Sequence, residues 1–201
     1  MAQESASILE ALQSQLSGDT VQTISQRIGA DPAQTQQAIN AALPMLLAAL
    51  GKEAADPERS AGLMQAIQQD HDGAVVDNLP KYLSGEMTGR ATYGDGIIHH
   101  VLGDRQEPAV RALSGKSGLD LGAIASLLPL LAPIVMGMIG KKERTGGISL
   151  DNITDVLGSD TQRAANDQPD IGDLLGTVLG GGGQGQGGGI GDLLGSLFGK
   201  R

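Results

Sequence analysis

The chain contains no cysteine and no tryptophan, and Tyr82, Tyr93 and Phe198 are its only aromatic residues. The missing thiols remove disulfides, thiolate metal sites and cysteine nucleophiles together, and they leave the redox compartment open. The missing aromatics mean that any core is built from Leu, Ile, Val, Met and Ala. Strands are enriched in β-branched and aromatic residues, so the shortage favours helices over sheets. Clustered Lys and Arg are lacking as well. A net charge of −9 and a pI near 4.6 argue against nucleic acid, because phosphate binding needs concentrated positive charge. Residues 1–10 carry Glu4 and neither a basic nor an apolar stretch. They do not read as a Sec-type signal, and the cytoplasm is the expected location.

What is present is a chain of 201 residues, enough for one or two domains with a core that needs no covalent staples. Its strongest signal is self-similarity. Ser25, Arg27, Gly29 and Asp31 match Ser114, Lys116, Gly118 and Asp120 at one constant offset. The same offset carries Pro44 onto Pro133 and Gly51-Lys52 onto Gly140-Lys141.

Each landmark has a physical meaning. Gly29 and Gly118 stop a short helix, since glycine tolerates the left-handed conformation past a helix end. Asp31 and Asp120 then cap the next helix by accepting a free backbone N–H. In the first copy Pro32 suits the first helical position and Gln34 is placed to complete a capping box. Ile39, Leu43, Leu46, Leu47 and Leu50 form an apolar stripe, while Gln34, Gln36, Gln37 and Asn40 form the wet face. Gly51 reads as the stop of that helix, and Pro44, recurring as Pro133, predicts a kink or a break inside it. Gly51-Lys52 and Gly140-Lys141 read as helix ends where a cation meets the negative dipole terminus.

The expected architecture is therefore all-α: two related small helical bundles produced by internal duplication, at residues 1–79 and 80–160, followed by a flexible Gly-rich tail at 161–201. A DNA-reading turn has the same grammar, but no basic residue lies between Asp31 and Gly51, so a helical corner is the better reading. Residues 121–140 carry no charge and are long enough to span a bilayer. Pro129 and Pro133 interrupt that run, and its matched partner at 32–51 is too polar to span. A buried central helix is expected, with an apolar assembly or membrane-contact surface as the alternative.

A second, shorter repeat occupies the tail. Ile171-Gly-Asp-Leu-Leu-Gly-Thr-Val-Leu-Gly180 and Ile190-Gly-Asp-Leu-Leu-Gly-Ser-Leu-Phe-Gly199 share one pattern, separated by the Gly/Gln run 181–189. That run reads as flexible coil. Glycine every few residues makes each decapeptide a poor isolated helix, ordered only where something accepts its apolar face. Leu174, Leu175, Leu179, Leu193, Leu194, Leu197 and Phe198 are accordingly expected to be docking residues, for a protein partner or for another copy in a homo-oligomer. Folding back onto the chain's own helices is the alternative.

Candidate chemistry is sparse. His99 and His100 sit on the polar side of a short helix whose apolar face is Ile97, Ile98, Val101 and Leu102. Adjacent histidines diverge around a helix and make a poor metal pair. His71-Asp72 falls in a loop-like stretch, and no recognisable nucleophile or metalloprotease context accompanies it. The Gly-rich run lacks the Lys-Ser/Thr of a phosphate loop. Neither catalytic residues, metal ligands nor a cofactor are expected.

The order Gly-x-Asp, a long apolar helix carrying Leu-Pro or Ala-Pro, Gly-Lys, and a terminal Leu-Leu-Gly-x-Leu-Phe-Gly resembles the YidB-like family of uncharacterised bacterial proteins. The resemblance implies a multihelical fold of paired small bundles, with no catalytic residue or cofactor to carry over. The Gly/Gln spacer and the doubled tail peptide depart from the family's usual pattern. The expected role is a non-enzymatic structural or protein-interaction module that self-associates or docks through apolar helices and its tail. A peripheral membrane or envelope-associated protein is the alternative, against which an acidic chain would be repelled by anionic lipid.

Overall fold

The computed structural model describes residues 7–168 and 171–179, and every regular element among them is helical. In chain order these are α1 (Ile8–Gln15), α2 (Asp19–Ile28), α3 (Pro32–Ala55), α4 (Pro57–Asp70), α5 (Ala74–Asp77), α6 (Leu79–Ser84), α7 (Gly94–Leu102), α8 (Gln106–Ser117), α9 (Leu121–Arg144), α10 (Ile153–Asp167) and α11 (Ile171–Leu179). Short 3₁₀ turns at Arg90–Thr92 and Gly103–Arg105 flank α7.

The turns into the two long helices are built as their residues dictate. Gly29 and Gly118 take left-handed φ values of 68° and 74°. Asp31 accepts from the amides of Ala33 at 2.9 Å and Gln34 at 3.0 Å, and Asp120 accepts from Ala123 at 2.8 Å. Gln34 does not complete a capping box. Its amide instead donates to the Gly118 carbonyl at 3.3 Å, bringing the second turn against the start of α3.

α3 and α9 are each 24 residues long and continuous. The breaks expected at Pro44, Pro129 and Pro133 do not occur, and Gly51 and Gly140 lie within the helices rather than ending them. Proline's penalty is a lost hydrogen bond and a crowded carbonyl one turn earlier, and packing around α9 accommodates both. Pro133 offers no N–H to the Pro129 carbonyl. Gly94 lies against that oxygen so closely that a Cβ there would come within 1.7 Å of it. One residue on, the Leu130 carbonyl accepts the buried Tyr82 hydroxyl at 3.0 Å.

These two helices form the centre. Residues 41–51 of α3 and 130–140 of α9 are buried without exception, so the stripe read for α3 describes only its first turns. Residues Ile8 to Leu174 contribute to one continuous apolar core. The halves expected at 1–79 and 80–160 interlock within it. α3 packs most extensively against α10 and α8 from the second half and against α11 from the stretch read as tail, whereas α9 touches α1, α2, α4 and α5 from the first. Buried Asp160 on α10 accepts the Leu9 amide at 3.2 Å and so ties the second half to the start of α1. Among the described residues α9 is the one helix long and apolar enough to cross a membrane, with mean hydropathy 2.1, and 78 % of that window lies inside the fold.

Regular helix also enters the stretch assigned to a flexible tail, since α10 runs to Asp167 and α11 follows. The composition there is polar and glycine-rich, but among the described residues Ile171 and Leu175 are packed on Ala48 of α3 and Leu174 joins the main core.

Candidate docking site

α3 and α9 are narrow at matching places. Ala48 and Gly51 on α3 stand at the positions of Gly137 and Gly140 on α9. Small residues three apart lie on one face of a helix and leave a notch into which another element can settle.

On α9 the notch is filled by the turn after α4. A Cβ at Gly140 would fall 1.8 Å from the His71 carbonyl oxygen, and one at Gly137 would fall 3.2 Å from a Val76 methyl. Backbone therefore meets backbone, with Val75 and Val76 of α5 buried alongside. Gly73, at φ 100°, makes the turn, and Lys141 clamps it by an ion pair to Asp77 at 2.5 Å. The Lys141 ammonium beside Asp77 holds that carboxyl below the ordinary carboxylate range.

On α3 it is α11 that settles at Ala48. Ile171 and Leu175 pack on Ala48 with Ala165 of α10 alongside, and Leu174 joins the main core. Ile171, Leu174 and Leu175 are 2 %, 2 % and 0 % exposed. Gly172 is buried with them, and α8 forms the other wall of the seat. Of the seven expected docking residues, Leu174 and Leu175 thus rest on the chain's own helices and Leu179 ends α11. Leu193, Leu194, Leu197 and Phe198 lie outside the described residues.

The titratable groups gather elsewhere, around a cavity of about 440 Å³ between α4, α7 and α9. Leu63, Ile97, Val101 and Met136 give it apolar walls, while Asp70, His71, Arg90 and His100 face it. Tyr93 lies across Gly96, where a Cβ would meet the ring at 2.5 Å. His71, read as part of a loop, closes α4 and is only 6 % exposed. Burial pushes its pKa down, against a smaller upward pull from Asp70 and Asp72, so the imidazole is neutral at pH 7. Its Nδ1 is enclosed and has no hydrogen-bond partner among the described residues.

Glu53, near the end of α3, is 2 % exposed. One carboxylate oxygen accepts from Arg59 at 2.7 Å. The other makes no hydrogen bond among the described residues and lies 3.9 Å from His100 Nε2. Lys52 beside it has its pKa lowered by burial and by Arg105 and Arg59. His99 and His100 are exposed on α7, as their spacing implied. Among the described residues no three His, Cys, Asp or Glu side chains converge as a metal-binding group. His71 lines the cavity while its Nδ1 is enclosed. A short apolar segment is already held on α3.

Sequence reasoning missed Glu53 and Gly137, read His71 as a loop residue, and read Gly140 as a helix end. Only the recurrence of Gly51-Lys52 as Gly140-Lys141 pointed at the notch, and a helix end explained it equally well.

A family model described as a bacterial protein of unknown function, DUF937, matches residues 10–142. That span runs from α1 through nearly all of α9 and stops before α10 and α11. No curated protein and no solved structure matches the chain.

Proposed function

The chain belongs to the DUF937 family of bacterial proteins, the family of YidB, and from that premise we propose that it is a non-enzymatic interaction protein whose α3 notch is a seat for Leu-Leu peptides. The observation that carries this is the burial of Ile171, Leu174 and Leu175 against α3, α8 and α10. A segment with glycine at 172 and 176 loses about 1 kcal/mol of helix propensity at each, so its order depends on the surface that receives it.

The seat belongs, in this reading, to one of two copies of a duplicated helical unit. The support is the shared length of α3 and α9, the left-handed glycines before them, the Asp caps, and burial over the same stretch of each. The two notches then have different occupants, a connecting turn on α9 and a tail peptide on α3. Connecting turns are fixed by the chain, whereas a peptide held mainly by a few apolar side chains can be replaced by a segment with the same apolar spacing.

Light scattering on the full chain over a hundredfold range of concentration tests the role. Mass rising with concentration, or a stoichiometric complex with an added protein bearing an Ile-Gly-x-Leu-Leu segment, is the expected result. A constant monomer mass together with no retention of such a protein would overturn it. Membrane contact, the alternative from sequence, would need the apolar surface of α9, most of which lies inside the fold. Flotation with liposomes tests it directly.

A further inference from the structure

We propose that the cavity between α4, α7 and α9 is a binding site for a small apolar carboxylate, a single hydrocarbon body carrying one carboxyl group. The site is separate from the α3 seat and does not depend on it.

The first observation is a glycine that the fold does not need. Gly62 lies inside α4 and lines the cavity, although glycine is among the poorest helix formers. Gly94 and Gly140 also lie in helices, but there a Cβ would strike the backbone of another element. At Gly73 the reason is a positive φ. Gly62 has neither reason, since its φ is not positive and a Cβ would meet nothing within 4 Å. A residue that breaks a local rule without a gain in packing marks a place where function sets the choice. What the missing side chain leaves is room, and Ala66, one turn further on the same face of α4, adds to it.

The second observation is how polarity is distributed around that room. Leu63, Val101 and Met136 are buried and Ile97 is half-buried, so a hydrocarbon body meets apolar walls. His71 adds no charge to them, because burial keeps its imidazole neutral. The volume of about 440 Å³ falls within the range of small-molecule sites, which pair an apolar lining with a few convergent polar groups. Here those groups are Asp70, Arg90 and His100.

Arg90 selects the ligand's polar end. Its side chain is 86 % exposed and stands 3.7 Å from Asp70, a separation too long for a hydrogen bond. The planar fork of donors therefore has room for a second carboxylate, the acceptor it fits bidentately. His100 faces the same cavity from α7 and supplies a further donor. An ammonium in that place would meet the guanidinium charge, and an alcohol would offer it one acceptor oxygen in place of two. Tyr93, 65 % exposed and lying across Gly96, adds an aromatic face on the solvent side.

Titration of the full chain with decanoate below its micelle concentration tests the site, with decanol and decyltrimethylammonium as the uncharged and cationic controls. The reporter is the Met136 methyl resonance in protein labelled at its methionine methyls, identified by its loss in Met136→Leu. Decanoate should shift that methyl and saturate at one equivalent, while both controls bind roughly tenfold more weakly or worse, the ratio expected for one charge-assisted hydrogen bond. Arg90→Gln should weaken decanoate by roughly the same factor and leave decanol unchanged, which separates lost recognition from a damaged cavity. Gly62→Leu fills the room while improving helix propensity, so it should abolish binding of all three probes with no fall in melting temperature. A Met136 methyl that stays still up to about 1 mM decanoate, equal affinity for decanoate and decanol, or undiminished decanoate binding in either variant would overturn the proposal.

Discussion

α3 and α9 are matched in length, in cap and in the stretch that is buried, yet their notches are closed in different ways. On α9 the closing element is a backbone turn bounded by helices on both sides, locked by Gly73 and by the Lys141–Asp77 pair. On α3 it is a nine-residue helix held mainly by three apolar side chains. On the proposed reading the first closure is part of the framework and the second is an attachment. What separates them is connectivity, because a turn tethered at both ends cannot leave without unfolding its neighbours.

The sharpest way to break this comparison is to fill each notch. Gly140→Ala places a Cβ 1.8 Å from the His71 carbonyl, and backbone cannot step aside as a side-chain tip can. Urea unfolding should show a loss of about 3 kcal/mol, felt by the whole molecule. Leu175→Ala removes an anchor of α11 and should cost about 2 kcal/mol. The damage should stay local, with amide exchange accelerating across α11 while the amides of α5 and α9 keep their protection. Equal exchange in both regions would show that α11 is framework after all.

The caps offer a finer contrast. Asp31 accepts two backbone amides and Asp120 accepts one. Each Asp→Ala change should cost about 1 kcal/mol, with the Asp31 variant the more destabilised of the two in thermal melts.

The smallest effect concerns pH. Burial lowers the His71 pKa below its ordinary 6.5, so the unfolded chain binds a proton that the folded one resists. Stability from this group is complete above about pH 6.5 and is lost as pH falls from there toward the folded pKa. Exchange measured between pH 7 and 5 should therefore loosen the α9 notch, where His71 sits, before the α3 seat. His71→Phe should flatten that dependence.

Much of the framework was legible. Gly29, Gly118, Asp31 and Asp120 are local signals, because a left-handed residue and a side-chain cap act within one turn of the chain, and the structure places all four as read. The prolines misled, since the cost of Pro44, Pro129 and Pro133 was weighed for an isolated helix. Gly51 and Gly140 misled for a related reason: a glycine that ends a helix and a glycine that lets another backbone approach look alike in one dimension. His71 gave no sign of burial, because a polar run of Gln, Asp and His is the composition of an exposed loop. For the docking residues, the spacing of the Leu-Leu peptides was visible and their surface on α3 was not.

By itself, then, the sequence determined an all-helical chain, the start of each long helix, and the apolar stretches that had to be covered, since each of these follows from backbone geometry and from the aversion of apolar side chains to water. Only the tertiary structure decided that the halves interlock, that the prolines leave the helices whole, and which segment lies in which notch. Those outcomes depend on atoms brought together from distant parts of the chain, where the close approach of two backbones or the fit of an isoleucine against an alanine sets the energy.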